Sequence, residues 1–291
     1  MNKLTRIVLG VSLAVTLSSI AMAQDKAPSG PPKILQITRE FTKPGKGGAA
    51  HDKSESVFVQ AMAKAKWPTH YIGFNALSGK SRADFFVPYD SFEAMEKDNA
   101  AIGKNATLSA VLDKAGVADG DLLDSVDQAV FTYDEDLSYK PSQDVSNMRF
   151  LEVSTYHVRP GHGAEWDDVV KIVKDGHAKA GTTAHWDMYE LAYGGDGGTY
   201  MVLSPMHSLS EVDRGFAEDK QFDAAVGKEG LKKLNEEFGA AVDTTDHQLL
   251  AVNPHMSYVS DEWVKAYPDF WKTKAPAPAA KPATAPAKPT P

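Results

Sequence analysis

The sequence predicts an α+β fold in which two tandem β-α-β-β-α-β repeats pack against each other as one barrel. The first observation is a duplicated segment, because Lys33–Gly47 recurs as Arg149–Gly163, 116 residues further along the chain. In both copies an alternating apolar pattern leads into a basic residue, Pro-Gly and a helical pattern. The second observation is that the later strand and helix patterns follow in the same order in both copies. Such self-similarity indicates a duplicated structural unit.

The first copy contains four strand patterns and three helical ones. Leu35 and Ile37 alternate with polar residues, as the two-residue period of a strand requires, and Pro44-Gly45 ends this strand. Ser91 begins a capping box that opens the second helix. The predicted strands are Ile34–Phe41, His70–Leu77, Asp84–Pro88 and Gln128–Tyr133, and the predicted helices are His51–Lys66, a helix after Ser91 and a short helix within Asn105–Val117.

The second copy repeats this order. Its first helix is indicated by an apolar stripe that begins at Trp166, and a capping box formed by Ser208 and Glu211 opens the next helical segment. The predicted strands are Phe150–Val158, His185–Leu191, Tyr200–Pro205 and His247–Val252, with an added helix over Phe222–Phe238.

This order is that of the ferredoxin-like unit, in which helices cover one face of the sheet. The sequence therefore predicts that the two open faces pack together as an intrachain dimeric α/β barrel. We assign the apolar positions Leu35, Ile37, Leu151 and Val153 to the helix-covered faces. The mixed positions assigned to the interior are Ile34, Gln36, Thr38 and Glu40 in the first copy, and Phe150, Glu152, Ser154 and Tyr156 in the second. A mixed interior suits a small, partly apolar ligand; alternatively, its polar residues are hydrogen-bonded or point outward at strand ends.

The repeats and their flanks divide the chain into successive segments. These are a signal peptide (residues 1–23), a linker (24–32), ferredoxin-like repeat 1 (33–140), a linker (141–147), ferredoxin-like repeat 2 (148–259), an aromatic C-terminal segment (260–271) and a Lys/Ala/Pro tail (272–291). The tail holds only Lys, Thr, Ala and Pro, a composition that predicts disorder.

The first residues have the pattern of a secretory signal peptide. Lys3 and Arg6 precede the apolar run Ile7–Ile20, and Ala21-Met22-Ala23 is a small-x-small cleavage site. The run is short for a bilayer span, so we expect an exported protein, periplasmic or secreted, with no stable membrane anchor after cleavage.

The amino-acid composition excludes some kinds of catalytic and binding site. The chain has no cysteine, and therefore no disulfide and no thiolate nucleophile or metal ligand. Its formal net charge of −8 argues against nucleic acid as a partner. The glycine-rich segment Tyr193–Gly198 lies between two strands instead of before a helix, so it does not predict a phosphate site. We predict no cofactor, and the oligomeric state is left open.

Four segments resemble the dimeric α/β-barrel superfamily, in particular NIPSNAP-like and antibiotic-biosynthesis-monooxygenase-like proteins, here in tandem. They are Arg39–Lys46, Trp67–Tyr71, Tyr89–Phe92 and Val158–His162, and the resemblance covers about Lys33–Tyr258. It implies the barrel fold and a range of activities, among them cofactor-independent oxygenation, haem binding or degradation, and isomerisation. The haem-degrading members of the superfamily use Asn, Trp and His. Trp67, His70 and Asn75 are of these residue types, but their order in the sequence does not map onto that of the haem-degrading members, so we assign no catalytic residue from the resemblance.

The candidate ligand-binding residues are Gln36, Glu40, His70, Asn75, Glu152, Tyr156 and Trp186. His70 and Trp186 occupy equivalent positions, and His70 is either a general base or a ring that fills a helix-to-strand corner. No HExxH pattern occurs among the nine histidines, so no metal site is predicted. His51 is interpreted as an ordinary helix histidine, and Asp119-Gly120-Asp121 as a solvated turn.

These observations favour an exported small-molecule-binding or accessory protein without turnover. The alternative is a cofactor-independent monooxygenase or haem-related enzyme that acts in the cavity between the sheets. A purely structural or partner-binding role is the third hypothesis.

Overall fold

The computed structural model describes residues 30–142 and 144–272. The predicted signal peptide, most of the first linker and the tail from residue 273 onward lie outside the described residues. Within the described ranges, no helix has both the length and the hydropathy that crossing a bilayer requires.

The described residues form an α+β structure with eight strands and seven α-helices. The strands are β1 (Ile34–Thr42), β2 (Ile72–Ala76), β3 (Arg82–Tyr89), β4 (Leu123–Tyr139), β5 (Phe150–Val158), β6 (Trp186–Tyr193), β7 (Thr199–Met206) and β8 (Val242–Val252). The helices are α1 (Ala49–Ala65), α2 (Phe92–Lys104), α3 (Ala106–Gly120), α4 (Gly163–Ala180), α5 (Ser210–Ala241), α6 (Asp261–Ala266) and α7 (Pro268–Trp271).

The strands close into one antiparallel barrel in the order β1-β3-β2-β8-β5-β7-β6-β4. Each half of the chain contributes four adjacent strands, β4-β1-β3-β2 and β8-β5-β7-β6, so corresponding strands hold corresponding places. Two seams join the halves. One pairs β2 with β8 over Phe74 to Ala76, and the other pairs β6 with β4, which is long enough to pair with β1 as well. The barrel is therefore continuous in hydrogen bonding across both seams.

The predicted assignment of the strand faces is wrong. Leu35, Ile37, Leu151 and Val153 do not lie under the helices but in the shared core of the barrel. Glu40 instead lies beside helix α1, and Tyr156 packs with the aromatic rings under α4 and α5. The interior of an eight-stranded barrel is just wide enough for side chains to fill, so the more apolar face turns inward. The mixed face lies outward, where helices cover it.

The helices cover the outside of the barrel. Helices α1, α2 and α3 lie over the first half, and α4 and α5 over the second. Ser91 caps α2 as predicted, because its hydroxyl accepts a hydrogen bond from the Ala94 amide. Helix α5 is broken at Gly227, whose φ of 75° is readily adopted only without a Cβ. After β8, helices α6 and α7 pack against the barrel core, and Trp271 of α7 is part of that core.

Candidate functional site

A cavity of about 340 Å³ lies between the outer face of the first-half sheet and helices α1 and α2. We call it the helix-side cavity. Its lining combines aromatic and aliphatic side chains with amides, hydroxyls and carboxylates, which is the composition of a small-molecule site. The lining residues are Gln36, Thr38, Glu40, Glu55, Phe58, Met62, Trp67, Thr69, Tyr71, Phe85, Val87, Tyr89, Asp98, Asn99, Ile102 and Gln128.

Asp98 of α2 holds one wall of this cavity in place. Its Oδ1 accepts hydrogen bonds from Trp67 Nε1 at 2.8 Å and from Thr69 Oγ1 at 2.6 Å. Its Oδ2 accepts a third from the Tyr89 hydroxyl at 3.2 Å. One carboxylate therefore fixes an indole and a hydroxyl of the α1–β2 connection and a phenol of β3, and the cavity is preorganised.

A group of four titratable side chains lies at the edge of the cavity. This carboxylate cluster consists of Glu40, His51, Glu55 and Asp119, and one ligand-type atom from each lies within 4.8 Å of the others. Glu40 is near the end of β1, and His51 and Glu55 project from one face of α1 because they are four residues apart. Asp119 comes from the last turn of α3.

The Pro-Gly turn brings these elements together. Gly45 and Gly48 adopt φ values of 76° and 61°, a region that favours glycine, so the chain reverses within a few residues between β1 and α1. Lys43 then ties the turn to the end of α3, since its amide donates to the Leu122 carbonyl and its ammonium to the Asp121 carbonyl.

The cluster is buried. The side chains of His51, Glu55 and Asp119 are only 2%, 6% and 3% exposed. His51 Nε2 lies 3.1 Å from Glu40 Oε2, 3.5 Å from Asp119 Oδ1 and 3.9 Å from Glu55 Oε1. Glu55 Oε1 and Asp119 Oδ1 nevertheless accept no hydrogen bond. Three carboxylates thus converge on one imidazole nitrogen, and two of their oxygens stay unpartnered.

This crowding changes the protonation of the cluster. Burial and then the charges of Glu40 and Asp119 raise the pKa of Glu55 to about 9. Burial lowers the pKa of His51, but Asp119 and Glu40 outweigh it and raise that pKa to about 10. Burial, and then the charges of Glu55 and Glu40, also raise the pKa of Tyr71, whose hydroxyl stays protonated in the adjoining cavity.

A second cavity of about 300 Å³ lies inside the barrel, and we call it the barrel cavity. Its apolar part includes Phe86 and Met201, and its polar part includes Arg82, His157 and Asp246. The predicted interior cavity therefore exists, but the polar groups that line it differ from those that the sequence analysis placed inside.

The corresponding region of the second half is packed with rings. Tyr156, which corresponds to Glu40 in the repeat, has its ring centroid 5.1 Å from that of Trp166 and 6.2 Å from that of Phe238. Trp166 in turn lies 5.3 Å from Tyr200. The corresponding residues Tyr156 and Glu40 thus belong to an aromatic cluster in one half and to a carboxylate cluster beside a cavity in the other.

The structure brings only two of the seven predicted site residues to one cavity. Gln36 and Glu40 line the helix-side cavity. His70 stacks on Tyr258 with ring centroids 4.8 Å apart. Trp186 is buried and donates from Nε1 to the Leu137 carbonyl.

The three remaining residues lie on other strands. Asn75 is on β2 at the seam with β8, opposite Ala251. Glu152 is on β5 between Ser204 and Leu249, and Tyr156 of the same strand belongs to the aromatic cluster. The seven residues therefore do not form one site.

The carboxylate cluster was missed by sequence reasoning. Asp119 was interpreted as part of a solvated turn, but it is buried at the end of α3. His51 was interpreted as an ordinary helix histidine, and Glu55 was not singled out. The spacing of His51 and Glu55 was the one local signal, and it is a weak one because many exposed helix pairs share it.

Comparison with known proteins finds similarity only among solved structures. No protein-family model matches the chain, and no curated protein matches it. Among solved structures, it is similar to an anthrone oxidase-like protein at 14% identity, over 76% of this chain and 92% of the other, with a TM-score of 0.45. It is also similar to chlorite dismutase from Candidatus Nitrospira defluvii in complex with imidazole, at 10% identity, over 81% of this chain and 95% of that one, with a TM-score of 0.45. These identities and TM-scores do not establish a family, so membership of the dimeric α/β-barrel superfamily stays a prediction from the sequence.

Proposed function

We propose that this protein binds a small, partly apolar molecule in the helix-side cavity. The observation that carries the proposal is the cavity itself, which has about 340 Å³ of space and a wall preorganised by Asp98. A lining of rings with a few convergent polar groups is the usual form of a ligand site.

The lining indicates the chemistry of the ligand. Phe58, Trp67 and Phe85 offer apolar and aromatic surface. Glu40 and Asp98 offer carboxylate oxygens, which accept hydrogen bonds when ionised. We therefore infer a ligand with an apolar or aromatic body and hydroxyl or amino donors.

We further propose that the protein is exported and consists of two tandem ferredoxin-like repeats of the dimeric α/β-barrel superfamily, with the segment boundaries predicted from the sequence. The signal-peptide pattern of Met1–Ala23 supports export. The duplicated turn and the matching strand orders of the two halves support the repeat. Edman sequencing of the mature protein tests the first point: an N-terminus at Gln24 supports cleavage, and one at Met1 contradicts it.

An enzyme that acts inside the barrel is the second candidate. The observation that favours it is that His157 and Asp246, residue types that move protons, both line the barrel cavity. A rate of substrate oxidation under oxygen that is abolished in His157→Gln supports an enzyme. Equal rates of substrate oxidation for wild type and variant would exclude His157 from the mechanism.

Native mass spectrometry of protein purified from its own host tests the binding proposal. Both cavities have glutamine in their lining, which allows a matched pair of variants, Gln36→Ala in the helix-side cavity and Gln248→Ala in the barrel cavity. We expect a retained small molecule in the wild type, weaker retention in Gln36→Ala and unchanged retention in Gln248→Ala. Weaker retention in Gln248→Ala and unchanged retention in Gln36→Ala would show that the ligand binds in the barrel cavity. A wild type that retains no small molecule at any ligand concentration tested argues against binding.

A further inference from the structure

We propose that the carboxylate cluster is a binding site for one divalent transition-metal cation, with Glu40, His51, Glu55 and Asp119 as its ligands. This site goes beyond the proposed small-molecule function and does not depend on it. No other chain is needed, because all four side chains come from the first half of this one.

The distances agree with a common metal ion. Nitrogen and carboxylate ligands bind such cations at about 2.0–2.2 Å, which places neighbouring ligand atoms roughly 3.0–3.5 Å apart. His51 Nε2 lies 3.1, 3.5 and 3.9 Å from the nearest oxygens of Glu40, Asp119 and Glu55. All four ligand atoms lie within 4.8 Å of one another, so rotations of the side chains would have to bring the more distant ones closer to complete the coordination.

Two buried oxygens without hydrogen-bond partners support the metal site independently of these distances. Glu55 Oε1 and Asp119 Oδ1 are buried, aimed into the cluster and without a hydrogen bond. Buried polar atoms are nearly always satisfied, and each exception calls for a proton, a water or an ion as partner. One imidazole nitrogen can donate only one proton at a time, so it does not satisfy three carboxylates.

A divalent cation suits the charge of the metal-bound cluster. A metal ion binds carboxylate and imidazole groups in their deprotonated forms, so it replaces the protons that the cluster holds without it. In that state three carboxylates and a neutral imidazole carry three negative charges, and a divalent cation reduces this to one.

The ligand types narrow the class of metal. Imidazole nitrogen suits zinc, iron and other transition metals, whereas carboxylate oxygen suits manganese and magnesium. One nitrogen with three carboxylates therefore fits Mn²⁺, Fe²⁺ or Zn²⁺ better than Ca²⁺, which takes only oxygen ligands.

The carboxylate cluster adjoins the helix-side cavity. Glu40 and Glu55 belong both to the cluster and to the lining of the helix-side cavity. A bound cation would therefore lie at the wall of the cavity and would be placed to contact a molecule within it.

Metal binding to the chelator-treated chain tests the proposal, with Mn²⁺ and Zn²⁺ as the probes. Titration calorimetry gives the affinity, and elemental analysis after desalting gives the stoichiometry. Glu55→Gln removes one charge at nearly constant shape, and Asp119→Asn is a second variant in case the first does not fold, with circular dichroism as the check. Glu165→Gln is the matched control, because Glu165 also lies near a histidine at a helix start, 3.4 Å from His162, but is partly exposed.

We expect one equivalent of Mn²⁺ or Zn²⁺ per chain and a rise in Tm of about 5–10 °C at a hundredfold excess of metal over Kd. We expect Glu55→Gln and Asp119→Asn to weaken binding at least tenfold, and Glu165→Gln to leave it unchanged. A wild type that binds neither cation overturns the proposal, as does an equal loss in the control variant. Retention of the small molecule, followed separately with Gln36→Ala, reports on the ligand proposal alone.

Discussion

Ser138 and Ser257 make the same pair of hydrogen bonds on opposite seams of the barrel. The Ser138 hydroxyl accepts from the Met188 amide at 2.8 Å and donates to the carbonyl of Asp134, four residues earlier. The Ser257 hydroxyl accepts from the Gly73 amide at 2.9 Å and donates to the carbonyl of Asn253, also four residues earlier. Each half therefore ends in a segment that holds a strand of the other half.

We expect Ser138→Ala and Ser257→Ala to destabilise the fold by about 1–3 kcal/mol each. Either change leaves a buried backbone amide without its acceptor, and an unsatisfied buried donor costs roughly that much. The free energy of unfolding in urea measures the effect. Ser56→Ala is the control, since the exposed Ser56 hydroxyl donates only within its own helix. A loss below about 0.5 kcal/mol in both variants would show that the two contacts do not hold the seams.

Gly73→Ala should cost about 2–4 kcal/mol because a Cβ at this position would lie 2.6 Å from the Met256 carbonyl oxygen. The two backbone segments cannot move apart without breaking the hydrogen bond from the Gly73 amide to the Ser257 hydroxyl. Gly116→Ala is the matched control in the interior of α3, where a Cβ meets nothing within 4 Å. The control should gain about 0.5–1 kcal/mol from helix propensity. Thermal and urea unfolding of both variants check the opposite signs, and a neutral Gly73→Ala would contradict the close approach.

Asp84→Ala should destabilise the protein by about 3–5 kcal/mol, since it leaves the Arg82 guanidinium buried without its partner. Arg82 donates from Nε to Asp84 Oδ1 at 2.7 Å and from a terminal nitrogen to Oδ2 at 3.1 Å. The two side chains are 5% and 4% exposed. Arg82→Met combined with Asp84→Leu should recover most of the loss, because both charges are then gone. Urea unfolding of both proteins measures this, and a double variant no more stable than the single one would refute the argument.

Asp187→Asn should stabilise the fold at pH 7 by about 2–3 kcal/mol and change little at pH 4. Asp187 is buried, its Oδ1 accepts no hydrogen bond, and burial raises its pKa from 3.8 to about 6. The folded state therefore binds this proton more tightly than the unfolded state, so stability falls as pH rises between these two values.

Urea unfolding of wild type and Asp187→Asn across this pH range measures the effect. Asp175→Asn, at an exposed position of α4, is the control for loss of a carboxylate. A gain that is the same at pH 4 and pH 7 would mean that the charge of Asp187 is not its cause.

Local patterns predicted individual elements well where the pattern was complete. The strand Phe150–Val158 was predicted with the bounds that the structure has. The predicted capping box of Ser208 and Glu211 forms only in part. Glu211 Oε1 accepts from the amides of His207 and Ser208, but the N-cap residue of α5 is Leu209, and the Ser208 hydroxyl accepts from the Ser210 amide instead of the Glu211 amide. The sequence predicts two helical segments in this region, one opened by Ser208 and an added one over Phe222–Phe238, whereas the structure has one helical element, α5, that is broken at Gly227.

The bounds of a strand whose length depends on a neighbouring strand were predicted poorly. Strand β4 was predicted over Gln128–Tyr133 but runs from Leu123 to Tyr139. Its extra residues pair with the start of β6 and the end of β1, which lie far away in sequence. Strand ends of this kind are set by the neighbour that supplies the hydrogen bonds, and periodicity carries no information about that neighbour.

The sequence by itself determined the order of strands and helices in both halves, the turn that repeats between them and the apolar periodicity of each strand. Only the tertiary structure decided that Leu35 and Ile37 face the barrel core while Glu40 faces the helices. Periodicity separates two faces of a strand, but barrel closure decides which of them is inside. The meeting of His51 with Asp119 was likewise decided by the packing of α1 on α3, because contacts over that distance in sequence leave no local pattern.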